Sequence, residues 1–311
     1  MLNRRQLRVK VMQSLYAFMQ SENHSLENGE KELLFSVQKI YELYHFLLLL
    51  PLELVHLHQQ QVENAKQKYF PTEEEKNPNP RFTNNRVLKL LKNNGDFNLG
   101  VNKKKLNWIE ETDWLNKIFA DIKRDQEFKK YMYDSPDTIE SDKDFLNYIY
   151  INYVAPNEQL QEILEEKSIF WADDFELVLT LIIKTIRACK ENSLNLLPLY
   201  NDQDDREFIL ELYRKTIIHN NEYEKIISQK TNNWEVDRIA AMDILLMKMA
   251  IAEVIHFPSI PVKVTLNEYI DISKEYSTPK SNTFINGILD KIATELKEEN
   301  KIQKSGRGLM E

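Results

Sequence analysis

Glycine is almost missing from this chain: 6 residues in 311, two of them at Gly306 and Gly308 near the C-terminal end. Sheets joined by tight hairpins, and folds that cradle phosphates on glycine-rich turns, need many positions where only glycine fits the backbone. Such scarcity points to an all-α chain. With 42% hydrophobic and 10% aromatic residues, a sizeable core can form, and the length suits one large domain or two ordinary ones.

Hydrophobic spacing locates the helices. Leu7, Val11, Leu15 and Phe18 form one buried stripe, predicting a first helix from Arg4 or Arg5 to Met19. A long apolar helix is expected from Lys31 to Lys68, bent near Pro51. The stretch 71–86, opening with PTEEEKNPNPRF, reads as a linker. Shorter helices follow to 135, one of them capped by Thr112. Further helices are expected at 142–154, 157–168 and 173–191. From 204 the chain becomes densely helical. VDRIAAMDILLMKMAIAEVIHF is apolar nearly all round and so predicts a central helix ending at Pro258. VKVTLNEYIDISKEY is amphipathic. TPKSNTFINGILDKIATEL predicts a last helix with Thr278 as its cap and Pro279 at its first helical position. Gly287 within it suggests close approach of another helix, since glycine there costs about 1 kcal/mol relative to alanine.

The net charge of −8 argues against broad affinity for nucleic acid, so any such site must be local. Arg4, Arg5, Arg8 and Lys10 supply one candidate, because no acid precedes Glu22. Arg4 and Arg8 lie about 40° apart on a helix and point the same way as Val11 and Leu15. The first turn or two must then overhang the core or lead in as an arm. Cations at a helix N-terminus also oppose the macrodipole, by roughly 0.3–1 kcal/mol each when exposed. A compensating anion is therefore expected. Phosphate fits the guanidinium fork, while a solvated helix face is the competing reading. Lys103, Lys104 and Lys105 read as a solvated loop, and Trp108 and Trp114 as core.

Chemistry-bearing motifs are few. His56 and His58 would point apart on a helix, which disfavours metal ligation. The acids at 173–174 and 204–205 read as helix-start charges. No phosphate-loop, dinucleotide or HExxH pattern occurs, and no enzyme and no cofactor is expected. A single cysteine, Cys189, fits a reducing compartment. The richest apolar run, FLLLLPLELV at 46–55, falls short of the ~18 residues of a membrane span. A soluble, cytoplasmic protein with no membrane association is expected.

Two stretches together resemble the transcription antitermination factor family NusB. RRQLRVKVMQSLY (4–16) is similar to the family's arginine-rich opening and its Gln-x-Leu-Tyr helix. VDRIAAMDILLMKMAIAEVI followed by IPVKVTLNEYIDISKEYSTPKSNTFINGILDKI, within 236–292, resembles its last three helices, with the Pro-x-Lys-Val…Asn-Glu turn and the Phe-x-Asn-Gly-x-Leu-Asp-Lys end. With a looser match over 204–235, the likeness covers a little over a third of the chain.

The resemblance implies an all-α fold of NusB-like helical bundles. It implies binding of a boxA-type RNA together with a small-subunit ribosomal protein acting as NusE, within an RNA polymerase antitermination complex that reads through ribosomal RNA operons. By position it places Arg4, Arg5, Arg8, Lys10, Gln13, Tyr16, Lys280 and Phe284 at the RNA, and Asp243 and Lys248 on the helix facing the ribosomal protein. Gln6 stands where many members have arginine, and Lys280 where many have an acid. The chain is also far longer than the family norm. Residues 1–20 are read as the arginine-rich helix and 21–203 as a mainly helical insertion, parts of which (31–60 or 173–190) could supply family helices. Residues 204–297 are read as the C-terminal bundle and 298–311 as a flexible tail. Two alternatives remain: a helical interaction scaffold without RNA binding, and the NusB-like module of an RNA methyltransferase, which would need a cofactor domain downstream.

Overall fold

A computed structural model describes residues 2–21, 25–231 and 239–309. It is all-α: among the described residues there are sixteen α-helices, a π-helical turn at Tyr150–Val154 and a short 3-10 turn at Gly306–Leu309, with no strand beyond one isolated bridge. The chain forms two compact units, Met1–Val37 with Leu199–Glu311, and Gln38–Pro198.

The first unit holds α1 (Arg4–Gln20), the opening of α2 (Leu26–Lys66), α12 (Gln203–Ile218), α13 (Asn220–Lys230), α14 (Ala241–His256), α15 (Val262–Tyr276) and α16 (Ser281–Glu298). Helix α14 sits at its centre, packed against α1, α12, α13, α15 and α16. Every residue from Leu245 to Val254 is buried, as expected of a helix apolar nearly all round. Residues 236–238, expected to open this helix, lie outside the described residues.

Helix α1 starts where its chemistry allows. Asn3 accepts from the Gln6 amide, and the Gln6 side chain accepts from the Asn3 amide, a reciprocal cap that satisfies two orphan donors. Leu2 and Leu7 are fully buried, so the first turn is docked and does not overhang the core. Gly29 in α2 permits close packing against α12, because a Cβ there would collide with the Tyr213 hydroxyl.

The second unit holds the rest of α2, then α3 (Glu73–Lys76), α4 (Arg86–Lys92), α5 (Gly95–Lys104), α6 (Thr112–Arg124), α7 (Gln126–Tyr133), α8 (Ile139–Ile149), α9 (Glu158–Lys167), α10 (Ile169–Ala172) and α11 (Phe175–Ala188). Its core is aromatic. Phe46 stacks on Trp108 at 4.0 Å, Trp108 lies 5.4 Å from Trp114, and Tyr131 stacks on Phe145 at 4.0 Å. The Trp108 ring nitrogen donates to the Phe46 carbonyl at 3.1 Å, which satisfies a buried donor. By length and composition α2 could cross a membrane, but 56% of its apolar window is buried inside the protein, the pattern of a core helix.

Several local expectations need correcting. Helix α6 starts at Thr112, with Glu111 in the N-cap position making no side-chain cap, while the Thr112 hydroxyl donates to the Ile109 carbonyl. Helix α16 begins at Ser281, after a turn in which the Thr278 carbonyl accepts from the Ser281 amide, so neither Thr278 nor Pro279 starts it. Gly287 is exposed, and a Cβ there would meet nothing within 4 Å, so among the described residues no helix approaches it. The stretch read as a linker includes α3 and reaches the start of α4. The segment read as a flexible tail lies against the loop after α14. The Ser305 amide donates to the Pro258 carbonyl at 3.0 Å, the Lys304 ammonium donates to the Phe257 carbonyl at 3.0 Å, and Gly308 fits where a side chain would strike Pro258.

Candidate nucleic-acid interface

The arginines of α1 sit in a ring of carboxylates from the same unit. Arg4 Nε lies 2.8 Å from Asp205 Oδ1 in the first turn of α12, with its guanidinium 4.4 Å from the Phe208 ring centre. The Arg8 guanidinium also lies over Phe208, at 5.3 Å, as the four-residue spacing requires. Arg5 points to α15, where it meets Glu268 at 3.0 Å and Asp271 at 2.7 Å. Arg4 and Arg5 keep 38% and 41% of their side-chain surface open, whereas Arg8 keeps 3%.

Arg8 belongs to the core. Its Nε and Nη2 donate to Glu253 Oε2 and Oε1 at 2.7 and 2.6 Å. Glu253 also accepts from the Thr265 hydroxyl at 2.8 Å and the Tyr269 hydroxyl at 3.1 Å. Each carboxylate oxygen therefore has two donors, which is what a buried charge requires. Burial alone would lower the Arg8 pKa, but the hydrogen bonds and charge of Glu253 outweigh it and hold the group above its ordinary value. Burial also pushes the Tyr269 hydroxyl well up. Hydrogen bonding to Glu268 raises Arg5, against a smaller desolvation.

The anion that the opening cations call for is thus supplied within the unit, by Asp205, Glu253, Glu268 and Asp271. This replaces both the overhanging arm and the solvated face. Beside these pairs lies a cleft of about 870 Å³, edged by Asn3, Arg4 and Arg5 of α1, Asp202 and Asp204 near the start of α12, and Val264 of α15.

The other expected site residues are spread over the unit. Lys10 is buried, Gln13 and Phe284 are half-buried, and Tyr16 and Lys280 are exposed. Asp243 and Lys248 lie inside the fold. Asp243 accepts from the Ser277 hydroxyl and, at 2.8 Å, from the Ser281 hydroxyl, fastening the turn before α16 to the first turn of α14. Lys248 donates to Asn220 and Glu224 of α13, both at 2.8 Å. Among the described residues no group of three or more metal-ligating side chains comes together.

The sequence around this site has known counterparts. A model described as the NusB family matches residues 176–294, from within α11 to within α16. A Salinibacter ruber protein named transcription antitermination protein NusB is 42% identical over 113 residues, 36% of this chain and 71% of that protein. The chain belongs to the NusB family. A Desulfatibacillum aliphaticivorans protein of the same name is 40% identical over 33% of this chain and 71% of its own length. One from Chloroherpeton thalassium is 41% identical, with half of its length covered. A solved T. maritima NusB structure is 26% identical, covering 45% of this chain and 89% of that one, with a TM-score of 0.30. This is a long NusB-family member: about two thirds of its residues lie outside the stretch aligned with the Salinibacter relative.

Proposed function

We propose that this chain is a cytoplasmic, non-catalytic transcription antitermination factor that binds a boxA-type RNA together with a small-subunit ribosomal protein in the role of NusE, joining an RNA polymerase complex that reads through ribosomal RNA operons. The observation that carries the reading is the 42% identity to a protein named for transcription antitermination, across 71% of that protein. In this reading Arg4 and Arg5 are the phosphate contacts, since both are partly open at the N-terminal end of α1. Lys280 and Tyr16 offer a further exposed cation and ring, and Lys10, Gln13 and Phe284 are the remaining expected contacts. Arg8, Asp243 and Lys248 act indirectly, by fixing the helices that carry the contacts and face the ribosomal protein.

Fluorescence anisotropy with labelled boxA-type RNA tests this, with and without the ribosomal protein, at several salt concentrations. The wild type should bind, and the Arg4→Ala/Arg5→Ala variant should bind less tightly with a flatter salt dependence. The log–log slope should fall by about 0.7 for each phosphate contact removed from a single strand. A wild type that does not bind even with the ribosomal protein present rejects the reading and favours a protein-interaction scaffold.

A further inference from the structure

The second unit carries a cleft whose basic side chains outnumber its one acid, Glu74. Its volume is about 470 Å³, and it opens between the end of α2, the α3 region and helices α6 and α7. Three basic side chains line it: His58, Lys123 and Lys129. Neighbouring lysines are held by acids, as in Lys66 with Glu63, Lys68 with Glu75, Lys76 with Glu73 and Lys130 with Glu127. The three in the cleft make no ion pair among the described residues. The Lys123 ammonium donates at 2.6 Å to the neutral Gln61 side chain. His58 is wedged edge-on against Phe82 and Phe119, at 5.7 and 5.9 Å, and neither ring nitrogen makes a hydrogen bond among the described residues. Phe128, Met132 and the exposed Tyr133 also line the cleft.

From this arrangement we propose that the cleft is a binding site for a small organic anion with a flat apolar body, its anionic group between His58, Lys123 and Lys129 and its body against Phe128, Met132 and Tyr133. A charge-assisted hydrogen bond to a bound anion would occupy the donors that His58 and Lys123 leave open. The environment agrees in sign. Burial lowers the pKa of His58, and the charge of Lys123 lowers it further. Burial likewise lowers Lys123, with a contribution from Arg124. An anion reverses both effects, so binding should draw a proton onto His58 and weaken as pH rises. The other ionisable groups lining the cleft are Glu74, Lys129 and Tyr133. Glu74 opposes the bound anion, and Lys129 supports it.

Calorimetric titration of the full chain tests the site with benzoate, which stays ionised from pH 6 to 8. Acetate supplies the charge without the flat body, and benzamide the body without the charge. Benzoate should bind saturably, with acetate and benzamide each at least about tenfold weaker, the scale of one charge-assisted hydrogen bond. Lys123→Met and Lys129→Met should each weaken benzoate by about tenfold with unchanged thermal unfolding. Lys129 is exposed, so its variant cannot be explained by misfolding. His58→Gln should remove the proton uptake, seen as loss of the pH dependence, whose limit for one linked proton is about tenfold per pH unit. The proposal is overturned by absence of saturable benzoate binding, by acetate or benzamide binding as tightly as benzoate, or by a Lys123→Met/Lys129→Met double variant that binds like the wild type.

Discussion

Arg8 and Glu253 face each other as a two-pronged buried pair, Nε to Oε2 at 2.7 Å and Nη2 to Oε1 at 2.6 Å, with the side chain of Arg8 only 3% and that of Glu253 0% exposed. This pair joins α1 to α14 at the middle of the first unit. Removing one partner strands the other as an uncompensated buried charge, a loss of about 3–5 kcal/mol. Arg8→Ala should therefore lower the urea midpoint sharply. Arg8→Met combined with Glu253→Leu should recover part of that loss, because apolar groups of similar volume often replace a buried pair at little cost, while the buried Thr265 and Tyr269 hydroxyls lose their acceptor.

Arg5 shows the opposite balance. Two α15 carboxylates, Glu268 and Asp271, bind one partly open guanidinium that the functional reading assigns to phosphate. RNA must compete with them. The hydrogen bond and charge of Lys274, with a smaller contribution from Arg5, hold the Asp271 carboxyl below its usual range, so it is ionised at neutral pH. Asp271→Asn should raise RNA affinity several-fold and change stability by less than about 1 kcal/mol, as for an exposed pair. Anisotropy binding and urea unfolding of the same variant check both halves.

Two glycines should respond in opposite senses. Gly287→Ala places a methyl in open space on a helix and should stabilise by about 0.4–1 kcal/mol. Gly29→Ala drives a methyl into the Tyr213 hydroxyl and should destabilise by about 1–3 kcal/mol, the range for overpacking. Thermal unfolding midpoints moving in opposite directions check the pair.

His256 gives a pH signature. Burial, together with the charges of Lys215 and His219, lowers its pKa to about 4, against 6.5 ordinarily, and Glu222 only partly offsets this. Its Nε2 lies 3.0 Å from the Tyr223 hydroxyl. Between these two values the unfolded chain binds the proton and the folded one does not, so stability rises with pH there. The contribution is complete above about pH 6.5 and is lost as pH falls towards 4. Urea unfolding at intervals across this window should show a steeper acid loss in the wild type than in His256→Gln.

The helices were legible in the sequence because their periodicity is local. Leu7, Val11 and Leu15 are buried on α1 as their spacing implies, and Leu245 to Val254 are enclosed as an all-round apolar stretch should be. Helix starts were less legible, since a hydroxyl at Thr112 or Thr278 can bond a carbonyl or another hydroxyl as readily as cap a helix. The partners of the opening arginines were not legible at all, because hundreds of positions separate Arg5 and Arg8 from their acids. One signal did exist: Glu253 is an acid within the otherwise apolar run MAIAEVI, and a carboxylate in such a place needs a buried cation.

The distance along the chain between Arg8 and Glu253 is 245 residues, and during synthesis distance becomes time. At about 5–20 residues per second, the guanidinium leaves the ribosome roughly 12–50 s before its carboxylate exists. The second unit, continuous from Gln38 to Pro198, is completed within that interval. Until α12 emerges, the arginines of α1 have none of their four carboxylates, and until α14 and α15 follow they have only Asp205, so the nascent chain presents a largely unmasked cationic segment beside the ribosome. Synthesis of residues 205–271 therefore closes the charge cluster as well as the fold.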